Sequence, residues 1–142
     1  MKIKKAELKE FETAFAFCQS LWENINYEKN CMKEVYKRIL NDQNSFMLFL
    51  LKDDSYVGLV HGTFFDTFWM SGKTCYLASL IVKDTERKKG YGKIMVDYVK
   101  KIAMDKECKA IILDSAFYRA GAHSFYEHYG FEKCCYGFEY LL

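Results

Sequence analysis

Proline is absent from this chain of 142 residues, and glycine occurs only eight times. No proline- or serine-rich linker, repeat or low-complexity segment interrupts the sequence. We therefore expect one domain over residues 1–142. The formal net charge is only +2, so there is no overall electrostatic reason to expect binding to nucleic acid or to a membrane.

The chain also lacks the patterns that mark membrane and secreted proteins. No apolar run approaches the ~20 residues that a membrane span needs, and the charged N-terminal segment has no signal-peptide apolar core. None of the six cysteines are spaced as C-x-x-C, so the sequence predicts no zinc site. We expect free, buried thiols, no metal ion and a reducing, cytoplasmic compartment.

Apolar residues make up 51% of the chain and aromatic residues 18%, which is ample for a sizeable core. Their spacing predicts a strand, two helices, three strands, a helix, a strand, a helix and a final strand region, which is a mixed α/β fold. Thr74–Val82 is nearly continuous in apolar residues and predicts a central strand. Lys109–Asp114 predicts a short buried strand, and Phe131–Leu142 predicts one long strand or two short ones.

A basic, glycine-containing loop stands between the Thr74–Val82 strand and the clearest amphipathic helix of the chain. Its pattern is Arg87-x-x-Gly90-x-Gly92. Helix starts expose backbone N–H groups that bind anions, and glycine lets a phosphate approach the backbone. Arg87 stands where a Walker loop needs glycine, and Met95 where a dinucleotide fingerprint needs its third glycine. A phosphate cradle and a plain strand-to-helix turn are the two interpretations left by the residues.

The loop resembles the acetyl-CoA pyrophosphate loop of the GCN5-related N-acetyltransferase (GNAT) superfamily. About 30 residues later, Ala122–Phe131 is similar to the late Ala-x-x-Phe-Tyr-x-x-x-Gly-Phe segment of that family. The resemblance implies a GNAT fold: a mixed central sheet of about six to seven strands, splayed in the middle and flanked by about four helices. It also implies acetyl-CoA as co-substrate.

Residue by residue, the resemblance implies that pantetheine pairs with the backbone of the strand before the loop, and that the loop wraps the pyrophosphate. Lys88 and Lys89 either contact phosphate or form a solvated rim. Arg119 stands where many family members have asparagine, and is expected to contact phosphate or the pantetheine carbonyl instead. The implied cofactor-binding residues are Leu80, Ile81, Val82, Arg87, Lys88, Lys89, Gly90, Tyr91, Gly92, Lys93, Arg119 and Tyr126.

Tyr126 occupies the general-acid position of the family, where a phenol protonates the departing sulfur. The alternative is a packed aromatic residue. Many members carry a basic carboxylate near the positions of Ala78 and Ser79, and this chain has none there. Ser79 as a water-ordering residue and His61 as a base are weak candidates, and an amine that loses its proton to solvent needs no base. Asp114 and His123 are weaker still.

The family's acceptor site maps to aromatic and acidic segments, and its expected residues are Trp22, Tyr27, Phe65 and Asp66. Aromatic faces attract a cationic amine, although a surface cluster or dimer contact has the same composition. We therefore expect direct acetyl transfer to a primary amine, of a small molecule or a peptide, in a ternary complex. A non-catalytic CoA-binding sensor is the alternative, and a scaffold protein is a third reading. The oligomeric state is open, with a homodimer as one option.

Overall fold

The computed structural model describes all 142 residues, in two compact units, Met1–Ile112 and Leu113–Leu142. The first unit holds five strands and three helices, and the second holds one helix. The strands are β1 (Lys2–Lys5), β2 (Ser45–Lys52), β3 (Ser55–Thr67), β4 (Gly72–Val82) and β5 (Cys108–Ile112); the helices are α1 (Phe11–Leu21), α2 (Lys29–Asn41), α3 (Tyr91–Asp105) and α4 (Ala120–Tyr129). None of these helices combines the length and apolar character that crossing a membrane requires.

The sheet is mixed, as predicted, and its strands follow the order β1-β2-β3-β4-β5. The pairs β1–β2, β2–β3 and β3–β4 are antiparallel, and β5 runs parallel to β4. A two-residue turn joins β2 to β3, and both of its residues, Asp53 and Asp54, have positive φ values of 48° and 63°. Aspartate tolerates this left-handed conformation, which two-residue hairpins require. The two consecutive aspartates between two apolar runs are typical of such a turn.

Helices cover both faces of the sheet. Leu59 of β3 packs in one apolar cluster with Phe11 of α1 and Tyr36 of α2. Its neighbour Gly58 points the opposite way, and a Cβ there would lie 2.8 Å from the sulfur of Met95 in α3. Because successive strand residues face opposite sides, α1 and α2 lie on one face and α3 on the other. The predicted number of about four helices is confirmed.

The predicted count of six to seven strands is wrong, because residues 131–142 form no strand. Apolar residues do alternate along the end of this segment, as they would in a strand. However, Tyr136, Phe138, Tyr140 and Leu142 are all highly exposed. A strand is stable only when a neighbouring strand pairs with it, and the unit Leu113–Leu142 contains no other strand.

Two predictions about burial also need correction. The strand predicted at Lys109–Asp114 is β5, but it is half exposed because it pairs only with β4 and forms the edge of the sheet. All six cysteines are free, and only Cys75 is fully buried. The expectation of buried thiols is wrong for Cys31, Cys134 and Cys135, which are exposed since they lie in α2 or after α4 at positions that no other element covers.

Candidate functional site

Half of β4 has an open edge on the β5 side. β5 pairs with β4 only from Lys73 to Tyr76, so the strand from Leu77 onward is hydrogen-bonded to β3 alone. Leu80, Ile81 and Val82, which the family resemblance singled out, lie in this half. Unpaired backbone N–H and C=O groups along a strand edge accept an extended ligand in the manner of an added strand. The geometry therefore fits the predicted pantetheine contacts.

A β-bulge interrupts β4 at the point where the open half begins. His61 of β3 is opposite Ser79 and the next residue, Gly62, is opposite Leu77, so Ala78 is the extra residue of β4. Gly62 has to be glycine, because a Cβ there would collide with the Phe46 ring and lie 2.6 Å from the carbonyl oxygen of Tyr76. Such bulges redirect backbone groups and are common beside functional sites. Sequence reasoning missed this bulge, although Gly62 was a signal for it.

The bulge also brings two candidate residues together. His61 and Ser79 are directly opposite each other in adjacent antiparallel strands, where Cβ atoms are about 5 Å apart. Both side chains are half-buried. Burial lowers the pKa of His61 below its ordinary value of 6.5. The imidazole is therefore neutral at physiological pH and able to accept a proton, alone or through a water molecule beside the serine.

The glycine loop adopts a conformation that leaves its backbone accessible. A short 3₁₀ turn (Asp84–Glu86) follows β4, then Arg87 is extended and Lys88 has a positive φ of 62°. Gly90 caps α3 with a φ of 84°, and a Cβ at this residue would meet no atom within 4 Å. Glycine is therefore required here by the backbone conformation and not by crowding. The open space beside Gly90 is available to a ligand.

The start of α3 presents unpaired donors to that space. The first helical hydrogen bond at this end runs from the N–H of Ile94 to the carbonyl oxygen of Gly90, at 3.2 Å. The N–H groups of Tyr91, Gly92 and Lys93 precede it and have no acceptor within the helix. No acidic residue stands in the first turn. The helix dipole adds positive potential, so this end of α3 suits a phosphate.

The basic side chains of the loop are ion-paired with acids of their own segment. Arg87 contacts Asp84 at 2.7 Å, and Lys89 contacts Glu86 at 3.0 Å. One helical turn further, Lys93 Nζ lies 2.7 Å from Asp97; Lys88 takes part in none of these ion pairs. Exposed pairs of this kind contribute little to stability. A multiply charged phosphate can therefore replace the acids at small cost.

Tyr91 anchors the loop to the sheet. Its side chain is buried, and its phenol lies close enough to Lys52 at the end of β2 and to Glu86 in the 3₁₀ turn to shift the pKa of each. The Tyr91 phenol is the main cause that raises the pKa of Lys52. Lys89 lowers the pKa of Glu86, with a smaller contribution from Tyr91. Tyr91 was predicted as a backbone contact to cofactor, and the structure gives its side chain a supporting role.

Within Leu113–Leu142, Tyr126 lies in a cluster of aromatic rings. Its ring centroid is 5.3 Å from that of Phe125 and 5.6 Å from that of Phe131, both edge-on. Gly130 ends α4 with a φ of 122°, and the N–H of Phe131 returns to the carbonyl oxygen of Tyr126. Burial raises the pKa of Tyr126, and the charge of Arg119 opposes part of that increase. The phenol therefore keeps its proton at neutral pH.

The other candidates in this unit have different surroundings. Arg119 precedes α4 and stacks on Tyr118, with its guanidinium carbon 5.2 Å from the ring centroid. Nε2 of His123 lies 2.9 Å from the carbonyl oxygen of Ala116. This contact ties the His123 ring to the backbone ahead of α4. Asp114 is exposed and follows β5.

The expected acceptor residues lie in two segments. Trp22 and Tyr27 belong to the connection between α1 and α2, where the Tyr27 phenol donates to the carbonyl oxygens of Cys18, at 3.0 Å, and Trp22. Phe65 and Asp66 lie near the end of β3; Phe65 is 40% exposed, and Asp66 pairs with Lys73 at 3.1 Å. Tyr27 thus holds its own loop, while Phe65 and Asp66 present an aromatic face and a carboxylate to solvent.

Comparison with known proteins identifies the fold and its family. The sequence model of the Acetyltransferase (GNAT) family matches residues 8–131. An uncharacterized N-acetyltransferase, YhdJ of Bacillus subtilis (strain 168), is 30% identical over 84 residues, which are 59% of this chain and 59% of that protein. The chain thus spans less than two thirds of that relative's length.

Solved structures have the same fold at low sequence identity. A transcriptional regulator from Bacillus halodurans C-125 matches with a TM-score of 0.90 at 20% identity, covering 99% of each chain. A putative acetyltransferase from Agrobacterium tumefaciens str. C58 matches with a TM-score of 0.88 at 15% identity over the whole of both chains. An aminoglycoside acetyltransferase from an uncultured soil metagenomic sample, in complex with sisomicin, matches with a TM-score of 0.83 at 16% identity. The match covers 99% of this chain and 95% of that one.

Proposed function

We propose, from the premise that this chain belongs to the acetyltransferase (GNAT) family, that it transfers an acetyl group from acetyl-CoA to a primary amine. The acceptor is a small molecule or a peptide, and transfer is direct, within a ternary complex. Acetyl-CoA supplies the activated acetyl thioester. The open half of β4 and the exposed donors at the start of α3 are the observations that carry the proposal.

Donor binding uses backbone groups more than side chains. Residues Leu80–Val82 hydrogen-bond the pantetheine arm along the open edge of β4, and the N–H groups at the start of α3 hold the pyrophosphate. Gly90 leaves space for the phosphate oxygens to approach. Arg87 and Lys89 exchange their acidic partners for phosphate, because charge-assisted hydrogen bonds to phosphate are stronger than exposed ion pairs.

Tyr126 is the proposed general acid, and its phenol gives its proton to the departing sulfur. The increased pKa ensures that the proton is present at neutral pH. Its pKa also lies above the ordinary thiol value of about 8.5, so proton transfer is coupled to the development of thiolate charge and does not precede it. The charge of Arg119 opposes the pKa increase of Tyr126, and so limits the difference between the pKa values of the phenol and of the departing thiol.

Proton removal from the acceptor is assigned to His61 and Ser79. The two residues are neighbours across β3 and β4, and the neutral imidazole takes the ammonium proton directly or through water held by the serine. Aromatic and acidic residues near the end of β3, Phe65 and Asp66, favour a cationic acceptor that arrives as its ammonium form. We also assign the protein to the cytoplasm, on the basis of its six free thiols.

The first experiment separates donor binding from catalysis. Acetyl-CoA is titrated while the melting temperature is followed, and thiol release is then measured across a panel of polyamines, aminoglycosides, amino acids and peptides. We expect an increase in melting temperature, and turnover with at least one cationic amine. A protein with no thermal response at saturating acetyl-CoA would contradict both donor binding and catalysis.

The second experiment tests the acid. Tyr126→Phe and Tyr129→Phe each remove one hydroxyl from the same aromatic cluster. We expect a decrease in kcat of ~100-fold or more for Tyr126→Phe, and a small change in kcat for Tyr129→Phe. Equal kcat values for the two variants would assign Tyr126 a packing role only.

A CoA-binding sensor without turnover is the second candidate. One observation favours it: the positions Ala78 and Ser79, at the bulge of β4, carry no carboxylate. The sensor predicts tight binding of acetyl-CoA with no thiol release above the solvent rate for any amine in the panel.

A further inference from the structure

Two consecutive cysteines lie in the segment that follows α4. The sulfur atoms of Cys134 and Cys135 are 3.0 Å apart, and both residues are exposed. Cys31 is also exposed, but it has no adjacent cysteine in the sequence. The pair therefore differs from the other thiols by combining proximity with access from solvent.

We propose that Cys134 and Cys135 form a modification site, a vicinal dithiol that a hydroperoxide such as hydrogen peroxide converts to an intramolecular disulfide. The thiolate of one cysteine attacks one peroxide oxygen, the O–O bond breaks, and that cysteine becomes a sulfenic acid while hydroxide leaves and takes up the proton that the thiol released. The sulfur of the other cysteine then attacks the sulfenic sulfur, an S–S bond forms, and the S–O bond breaks with release of a second water. Two sulfur atoms are oxidised and two peroxide oxygens are reduced.

The contact between the two thiols places a resolving group beside whichever sulfur is oxidised first. The two sulfur atoms lie 3.0 Å apart, and either thiol can donate its S–H to the other sulfur. The sulfur that is not oxidised therefore resolves the sulfenic acid from a distance that needs only a small approach.

A competing pair in the sheet does not share these properties. Cys75 and Cys108 are close enough to influence each other electrostatically. However, Cys75 has no exposed surface, and burial raises its pKa to about 12. A peroxide cannot reach this sulfur, and almost none of it is thiolate at neutral pH.

The proposed disulfide is reversible. Consecutive Cα atoms are roughly 3.80 Å apart across a trans peptide. Disulfides usually join Cα atoms that are about 4.4–6.8 Å apart. A disulfide between neighbours is therefore strained, and strained, exposed disulfides are readily reduced. A cellular dithiol or dithiothreitol restores the reduced form.

The test counts thiols in the full chain and does not depend on acetyl transfer. Reduced protein is treated with hydrogen peroxide, then denatured, titrated with a thiol reagent and weighed intact without reductant. We expect the count to decrease from six by two, with loss of the mass of two hydrogen atoms from the monomer and full recovery in dithiothreitol. Cys31→Ser, the matched exposed control, should lose two thiols as well.

The single variants Cys134→Ser and Cys135→Ser should lose no pair of thiols, and both should fold because the changed side chains are exposed. The proposal is overturned if the wild type keeps all its thiols, gains oxygen without losing hydrogen, or forms a disulfide between chains. The same holds if the double variant Cys134→Ser/Cys135→Ser still loses two thiols.

Discussion

Replacing Gly90 by alanine tests whether the backbone conformation of the loop matters for stability and for binding. The residue caps α3 at a φ of 84°, and an added Cβ meets no atom within 4 Å. Steric crowding is therefore excluded, and the expected change comes from conformation alone. An L-residue in the left-handed region costs roughly 1–2 kcal/mol, and alanine recovers about 0.4–1 kcal/mol by restricting the unfolded chain. The net expectation is a decrease of about 1 kcal/mol in the free energy of unfolding.

Gly121→Ala is the matched control for the added methyl group. Gly121 lies in α4 with a normal helical φ, and a Cβ there also meets no atom within 4 Å. Alanine is the better helix former, so this variant should be more stable by roughly 0.5–1 kcal/mol. Both glycines thus have open space for a methyl group, but the expected changes in the free energy of unfolding have opposite signs.

Urea unfolding of both variants measures these changes in the free energy of unfolding. If the proposed donor site is correct, Gly90→Ala should also weaken acetyl-CoA binding by roughly tenfold, about 1.4 kcal/mol, because the methyl group occupies the space beside the helix start. Gly121→Ala serves as the reference for binding too. A Gly90→Ala protein as stable as wild type would refute the conformational reasoning. A destabilised variant with unchanged affinity would refute the phosphate site alone.

Two further predictions concern the sheet and its polar support. Gly62→Ala should destabilise the protein by about 3 kcal/mol, since the Phe46 ring and the backbone oxygen of Tyr76 lie in its way. At Gly58 a Cβ would come closest to the flexible end of the Met95 side chain and lie 3.2 Å from the carbonyl oxygen of Ile81, so Gly58→Ala should cost about 1 kcal/mol; equal urea midpoints would contradict this. Buried Glu10 accepts from Lys4 and Tyr56, both at 2.5 Å. Burial acts to raise the pKa of Glu10, but these hydrogen bonds and that of a backbone amide lower it below 4.5. The stability that the ionised Glu10 carboxylate contributes is thus fully present above pH 4.5, and it is lost as the pH falls through the lowered pKa of Glu10. Glu10→Gln should cost about 2 kcal/mol at pH 7 and flatten the acid limb of a stability-versus-pH curve.

Local chemistry made much of this fold predictable. The helix α1 follows from apolar residues spaced three and four apart, the β2–β3 turn from its two aspartates, and the end of α4 from Gly130. The glycine loop was predictable for the same reason. A strand that leads into a basic glycine turn and then an amphipathic helix creates exposed N–H donors whatever the rest of the chain does.

Strand number, edge position and register depended on the tertiary structure. The alternation in residues 131–142 has the period of a strand, but pairing requires a partner that sequence periodicity does not supply. The bulge at Ala78 likewise arises from the register between β3 and β4, and this register places His61 opposite Ser79. Sequence by itself thus determined the helices, the turns and the glycine loop with its exposed N–H donors, because these depend on neighbours along the chain. Tertiary structure decided which strand edge stays open and which side chains meet, because both depend on residues distant in sequence.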